Sequence, residues 1–135
     1  MSSPFADAER EFVRWARVAR LATVGSDGAP HVVPICPILH GEKILFASEA
    51  ATAKVRNIRA DPRVALAFDD YVEDWNALRG VTVHGTARIV EAGPEWELGR
   101  RLLYEKYPQY EAVAPITEGQ TVLVEVAVER ILGGL

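Results

Sequence analysis

Apolar residues along the chain recur with two different periods, and the changes of period mark the predicted elements. Alternating or clustered apolar residues predict six strands, at 21–24, 31–39, 44–47, 63–68, 78–90 and 121–129. Three- and four-residue spacing with capping residues predicts three helices: one opening at Ser3 and Pro4, one over 48–60 with Ser48 as N-cap, and one over 93–107. The strands are too many and too locally connected for a doubly wound parallel sheet. The pattern therefore predicts a mainly β chain, a small antiparallel barrel with peripheral helices.

Proline, alanine and glycine refine the prediction for three of these strands. Pro34 and Pro37 cannot donate to a strand ladder, which places strand 31–39 at an edge, a bulge or a bend. Ala65 and Ala67 alternate with larger apolar residues, so strand 63–68 is predicted to pack on both faces. Gly85 predicts a bend or bulge in strand 78–90, as expected where a sheet curls into a barrel.

Composition narrows the class of protein. The 135 residues amount to one domain, 1–135, with 49% hydrophobic and 25% charged residues. A net charge of −4 argues against nucleic-acid binding, and no apolar run is long enough to span a membrane. The lone Cys36 excludes an intrachain disulfide and is interpreted as a small buried residue; no Cys/His cluster has zinc spacing. The start lacks the pattern of a signal peptide. We expect a cytoplasmic protein without a metal site.

The segment after the third predicted strand carries the strongest chemical signal. Hydroxyls stand at Ser48 and Thr52, and Lys54 lies in the first turn of the following helix. A lysine there is unfavourable because the helix dipole already places positive charge at the N-terminus. A bound anion removes that penalty, and free backbone N–H groups would share in holding it. The competing interpretation is a solvated lysine on an exposed helix face, and spacing alone leaves both open. His31 and His84 are interpreted as structural or surface residues.

Most of the chain resembles a known family. The segments are RLATVGSDGAPHVVP at 20–34, TAKVRNIRADPRV at 52–64 and VHGTARIV at 83–90, with YVEDWNAL at 71–78 and KYPQY at 106–110. In this order and spacing they resemble the pyridoxamine 5′-phosphate oxidase-like, FMN-binding split-barrel flavoproteins. The similarity is greatest to the branch of deazaflavin (coenzyme F-420)-dependent oxidoreductases.

The resemblance implies a six-stranded antiparallel split β-barrel that forms a homodimer and holds its cofactors, FMN or coenzyme F-420, at the interface. It implies that Lys54 binds the cofactor phosphate with help from Ser48 and Thr52. The cofactor ring would lie against Val33, Pro34 and Ile35 and against Phe46 and Ala47. The partner chain would supply Trp75 or Arg79.

The resemblance further implies an oxidoreductase that transfers a hydride between the bound cofactor and a small organic substrate, because in such enzymes the cofactor performs the chemistry. No catalytic residue is assigned. The mildly acidic segment 48–52 favours FMN over coenzyme F-420, whose tail is anionic. Arg56, Arg59 and Arg63 either compensate for that acidity or are solvated. The alternatives are a non-catalytic cofactor- or haem-binding split barrel and a structural dimer that has lost its cofactor.

Overall fold

The computed structural model describes residues 3–133, which fold into seven strands and four α-helices. In chain order these are α1 (Asp7–Trp15), β1 (Ala19–Val24), β2 (Pro30–Ile35), β3 (Ile38–His40), β4 (Lys43–Glu49), α2 (Ala53–Ala60), β5 (Arg63–Asp70), β6 (Arg79–Val90), α3 (Pro94–Lys106), α4 (Tyr110–Val113) and β7 (Thr121–Gly133). A single 3-10 turn, Trp75–Ala77, lies between β5 and β6.

The strands form one antiparallel sheet in the order β2-β1-β5-β6-β7-β4-β3. The sheet curls so that side chains from both ends of this order share one core. Leu21, Phe46, Leu66, Val83 and Val124 are fully buried in it. The predicted mainly β split barrel with peripheral helices is therefore confirmed.

The predicted count of six strands was wrong, because the strand predicted at 31–39 is two strands. β2 ends at Ile35 and β3 begins at Ile38, with Cys36 and Pro37 between them. Pro37 has no N–H to donate to a ladder. Its carbonyl accepts hydrogen bonds from the Tyr107 hydroxyl at 2.6 Å and from Lys106 Nζ at 2.9 Å, so α3 and the residue after it hold the backbone between the two strands. Cys36 is exposed, contrary to its interpretation as buried.

Two predicted helix starts were also wrong. The first helix begins at Asp7 rather than Pro4, because the Ser3 hydroxyl bonds Glu42 and receives the Phe5 N–H instead of capping a helix. Ser48 is not an N-cap, because β4 continues to Glu49 along its pairing with β7. Helix α2 begins only after Thr52.

The two ends of the sheet differ on their outer side. Around β4 and β7, helix α3 covers the sheet and builds a second core that includes Leu45, Trp96, Leu103 and Leu123. Around β2, β1, β5 and β6 no described element covers the outer side. We call this surface the open face; the strand register places on it Arg20, Ala22, Val32, Pro34, Ala65, Ala67, Thr82, His84 and Leu132.

The open face corrects the prediction that strand 63–68 packs on both sides. Val64, Leu66 and Phe68 are buried, whereas Ala67 is exposed and Ala65 is half-buried. Val32 and Leu132 are 61% and 51% exposed on the same surface. A single chain thus leaves apolar side chains of the open face, among them Val32, Ala67 and Leu132, exposed to solvent.

The bulge predicted at Gly85 is confirmed by a register shift between His84 and Gly85 in the pairing of β6 with β7. The two strands approach so closely that a Cβ at Gly85 would lie 2.3 Å from the carbonyl oxygen of Ala127. Only glycine fits this approach without moving backbone.

The helices lie outside the sheet. Helix α2 packs on β1 and β6 and buries Val55 and Ile58, while α3 packs on β4 and β7. Within residues 3–133, every helix falls short of the length and apolar character that crossing a bilayer requires.

Candidate anion-binding site

Ser48 and Thr52 lie together at the start of α2. Their hydroxyl oxygens are 2.9 Å apart, and both hydroxyls reach the carbonyl oxygen of Glu49, at 2.9 Å from Ser48 and 3.2 Å from Thr52. Thr52 occupies the N-cap position, but no side chain accepts a hydrogen bond from the first turn of the helix. The N-terminus of α2 is therefore uncapped.

The first turn of α2 is electropositive. The leading N–H groups of a helix have no intrahelical acceptor, and the helix dipole adds partial positive charge there. The turn contains no acidic residue, and it carries Lys54. Lys54 is half-buried, which disfavours the interpretation of a freely solvated side chain. These donors are the set that binds a phosphate at a helix N-terminus, so a phosphate-bearing cofactor fits the residues present.

Lys54 differs from two of the arginines that follow it, Arg59 and Arg63. None of the ion pairs between residues 3 and 133 includes Lys54. Arg59 pairs with Glu91 at 2.8 Å, and Arg63 pairs with Asp61 at 2.6 Å. The Asp61 carboxyl has its pKa lowered to about 2 by hydrogen bonds from Arg63. Arg59 and Arg63 are thus neutralised within the chain, which leaves Lys54 available to an anion.

A hydrogen bond between Asn57 and Thr23, which the sequence analysis did not predict, fixes α2 on the sheet. Asn57 Nδ2 donates to Thr23 Oγ1 at 3.0 Å, and Thr23 is only 2% exposed. Asn57 follows Lys54 by three residues and so shares its side of the helix. Thr23 pairs with His31 across β1 and β2, and the buried His31 Nδ1 has no hydrogen-bond partner within residues 3–133. Asn57 could have been found from its three-residue spacing from Lys54. The sequence offered no comparable signal for the pairing of Thr23 with His31.

The residues expected beside a cofactor ring differ in whether their side chains or only their backbone atoms are accessible to a ligand. Pro34 is exposed on the open face, and Val33 and Ala47 are half-buried. Ile35 and Phe46 are 6% and 0% exposed in the barrel core, so these two positions offer main-chain atoms alone to a ligand.

Trp75 and Arg79 lie far from α2 within one chain. Helix α2 meets the sheet at Thr23, whose partner on β5 is Val64, whereas Arg79 pairs with Asp70 at the other end of β5. Six residues of strand separate these points, roughly 20 Å at about 3.3 Å per residue. Trp75 is 73% exposed, and Arg79 lies 3.2 Å from Asp70. The chain brings together Ser48, Thr52 and Lys54 but leaves Trp75 and Arg79 apart from them.

The fold defines a class, the mainly β split barrel, and the candidate anion site lies at the start of the helix that follows β4. Residues 5–133 match the family described as pyridoxamine 5′-phosphate oxidase, and the chain belongs to this family. The family resemblance of the sequence segments is thereby confirmed.

Relatives of this chain include reductases. A 5a,11a-dehydrotetracycline/5a,11a-dehydrooxytetracycline reductase of Streptomyces rimosus subsp. rimosus is 35% identical over 95 residues, which span 67% of each chain. The solved structure of an F-420 reductase superposes with a TM-score of 0.73 at 25% identity, over 95% of this chain and 98% of that one. A conserved hypothetical protein of Mycobacterium tuberculosis superposes with a TM-score of 0.82 at 27% identity, over 96% of this chain and 84% of that one.

Proposed function

We propose that the protein is an oxidoreductase that binds FMN or coenzyme F-420 and transfers a hydride between this cofactor and a small organic substrate. The uncapped N-terminus of α2, with Lys54 unpaired in its first turn, is the observation that carries the proposal. The reductase activity of the tetracycline-type relative and the F-420 reductase structure support the same class of reaction. Once bound, a flavin or deazaflavin supplies the hydride chemistry, and the protein supplies binding and orientation.

Each residue of the site has a distinct task in this proposal. The Lys54 ammonium and the free N–H groups of the first turn donate to the phosphate oxygens. The hydroxyls of Ser48 and Thr52, which lie 2.9 Å apart, turn from each other toward the same oxygens. Asn57 fixes the position of α2 on the sheet through its hydrogen bond to Thr23. Val33, Pro34 and Ala47 offer side-chain surface to the cofactor ring, and Ile35 and Phe46 offer their backbone.

We expect FMN to bind more tightly than coenzyme F-420. The polyglutamyl tail of coenzyme F-420 requires cationic side chains, and Arg59 and Arg63 are already paired with Glu91 and Asp61. Arg56 donates to the carbonyl oxygen of Ala51 at 3.2 Å, a neutral acceptor, so of these three arginines only Arg56 has no ion pair within residues 3–133. FMN needs only the single phosphate site at Lys54.

A homodimer completes the proposed site. Much of the open face is exposed to solvent in one chain, and its alanines permit the close approach of a second sheet. Because Arg79 pairs with Asp70 at the end of β5 remote from the contact of α2 with β1, we expect the partner chain to supply Trp75 or Arg79 to a cofactor at Lys54. Dimerisation through the open face would cover the exposed Val32 and Leu132. It would also bring Trp75 or Arg79 to the partner's cofactor.

Titration of the purified protein with FMN, coenzyme F-420 and haem, each followed by its absorption spectrum, tests the proposal. We expect binding of FMN or coenzyme F-420, followed by reduction and reoxidation with an added hydride donor and acceptor. Haem binding with neither of the other two would replace the proposal with the haem-binding alternative. Tight binding without turnover would leave a cofactor carrier.

Two variants locate the site. Lys54→Ala should weaken binding of the phosphate-bearing cofactor at least tenfold, or about 1.4 kcal/mol. Arg101→Ala, which removes the same charge from an exposed position on α3, should change the affinity less than twofold. Equal affinity of wild type and Lys54→Ala would remove the site from the start of α2.

A further inference from the structure

A groove of about 750 Å³ is lined by Ser48, the first of the two hydroxyl residues, and its lining includes neither Thr52 nor Lys54. One wall is the end of β4 and the turn after it, residues 47–51. The other wall is formed by Tyr110, residues 113–117 and the start of β7. Pockets for small organic ligands have volumes of roughly 300–1,000 Å³, so the groove has the size of a substrate site.

The far wall is held in place without a ligand. Ile116 is 1% exposed, its carbonyl oxygen accepts from Arg100 Nε at 2.8 Å, and its N–H donates to the Tyr104 hydroxyl at 2.9 Å. The Ala50 N–H donates to the carbonyl oxygen of Gln120 at 3.0 Å and ties the two walls together at their base. A pre-formed groove binds with a smaller entropic penalty than one that must order itself.

The charge of the lining disfavours anions. Glu49 lines the groove, its lining within residues 3–133 contains no lysine, arginine or histidine, and Val113, Ala114 and Pro115 make much of the opposite wall apolar. Arg56 and Arg100 donate to the carbonyl oxygens of Ala51 and Ile116 but are not lining residues themselves. An occupant with a carboxylate or phosphate of its own would meet the Glu49 carboxylate, with no cationic side chain among these lining residues to offset it.

We propose that this groove binds an apolar organic compound without negative charge, and that this compound is the substrate. The assignment as substrate rests on the proposed function, because Ala47 and Ser48 belong both to the groove and to the proposed cofactor site. The same charge pattern sends an anionic cofactor tail away from the groove.

Three naphthalene probes that differ in charge test the groove directly. Naphthalene-2-carboxamide is neutral, 2-naphthylmethylammonium is cationic and 2-naphthoate is anionic. We expect the first two to shift the backbone amide NMR signals of residues 47–51 and 113–121 in the protein saturated with FMN, and 2-naphthoate to bind at least tenfold more weakly. Equal affinity for all three probes, or shifts confined to another surface, would overturn the proposal.

Substitutions separate the groove from other apolar surface. Val113→Glu, at a side chain 81% exposed, should weaken binding of the carboxamide at least fivefold, and Val18→Glu, at another exposed valine, should leave it unchanged. Glu49→Lys should bring the affinity for 2-naphthoate to that of the carboxamide or above. Unchanged discrimination in Glu49→Lys would refute the electrostatic argument.

The two proposals fail separately. If Lys54→Ala loses FMN while the carboxamide still shifts the same amides, the groove is a binding site in its own right. If FMN binds and the carboxamide does not reach the groove, the groove proposal falls and the proposed function stands.

Discussion

Replacing Lys106 by methionine should destabilise the protein more than any other lysine substitution. Lys106 Nζ donates to the carbonyl oxygens of Ala16 at 2.6 Å, Pro37 at 2.9 Å and Arg14 at 3.0 Å. One ammonium thus ties the end of α1 and the β2–β3 connection to the end of α3. Methionine keeps the apolar stem of the side chain and removes the donors.

The magnitude follows from the number of acceptors that lose their partner. A hydrogen bond to a charged group contributes about 1.5–3 kcal/mol. The Pro37 carbonyl keeps the Tyr107 hydroxyl at 2.6 Å, and the Arg14 carbonyl accepts water. We therefore expect the free energy of unfolding to fall by about 2–3 kcal/mol, which is less than the sum for three hydrogen bonds to a charged group. In a chain of this size that lowers the melting temperature by roughly 6–12 °C.

The effect should depend on pH in a defined direction. Burial, assisted by the nearby Arg17 charge, lowers the pKa of Lys106 from 10.5 to about 8. Between these pH values the unfolded chain binds more protons than the folded one, so raising the pH favours folding of the wild type. The difference in stability between wild type and Lys106→Met should therefore increase as the pH rises from about 8 toward 10.5.

Urea unfolding followed by tryptophan fluorescence measures both effects. Lys54→Met is the matched control, because the same chemical change at Lys54 removes a charge that the helix dipole disfavours. We expect this control to lie within 0.5 kcal/mol of wild type, as is usual for substitutions outside the packed core (about ±0.5 kcal/mol). Equal stabilities of Lys106→Met and Lys54→Met, or a difference that shrinks above pH 8, would refute the reasoning.

Three further substitutions probe other parts of the molecule. Ala67→Glu on the open face should halve the mass measured by light scattering and weaken cofactor binding, and an unchanged mass would remove the proposed dimer interface. Gly85→Ala should cost about 1–3 kcal/mol because its Cβ meets the backbone carbonyl of Ala127. Gly99→Ala should cost less, because the nearest contacts of its Cβ are side-chain atoms of Leu123 and Leu45, which can shift. Thermal denaturation giving the reverse order would contradict this. Burial alone would raise the pKa of Glu125, but hydrogen bonds from Arg88 and Lys43 hold it below 4.5. Glu125→Gln should therefore cost about 1 kcal/mol at pH 7, and unfolding experiments should show the difference shrink as the pH falls from 4.5 through the lowered pKa of Glu125.

The sequence predicted best those strands whose pattern comes from one buried face. Val64, Leu66 and Phe68 alternate with less buried residues, and they form the buried side of β5. The end of β4 could not be predicted, because Ser48 and Glu49 are held as strand by pairing with residues far along the chain. Pro37 itself signalled an irregularity in strand 31–39, because it has no N–H to donate. The donors from Lys106 and Tyr107 that hold its carbonyl oxygen are long-range contacts and have no local signal.

The candidate site likewise contains one residue whose position the sequence could predict and others whose contacts it could not. Lys54 was predictable because its conflict with the helix dipole is a property of neighbouring residues. The bond from Asn57 to Thr23 and the orphaned nitrogen of His31 depend on how α2 sits against β1 and β2. Spacing along the chain contains no information about that placement, so the surroundings of the lysine emerged only in three dimensions.

The central position of β7 has a consequence for the order in which the molecule can be assembled during synthesis. Without β7 the remaining strands form two separate groups, β2-β1-β5-β6 and β4-β3, because β7 alone bridges β6 and β4. A nascent chain emerging from the ribosome therefore holds two unfinished half-sheets, each with a bare edge, until residues 121–133 have left the exit tunnel. Closure then requires contacts of high sequence separation, which are slow to form. The interval before closure is the stage at which this protein is most exposed to aggregation.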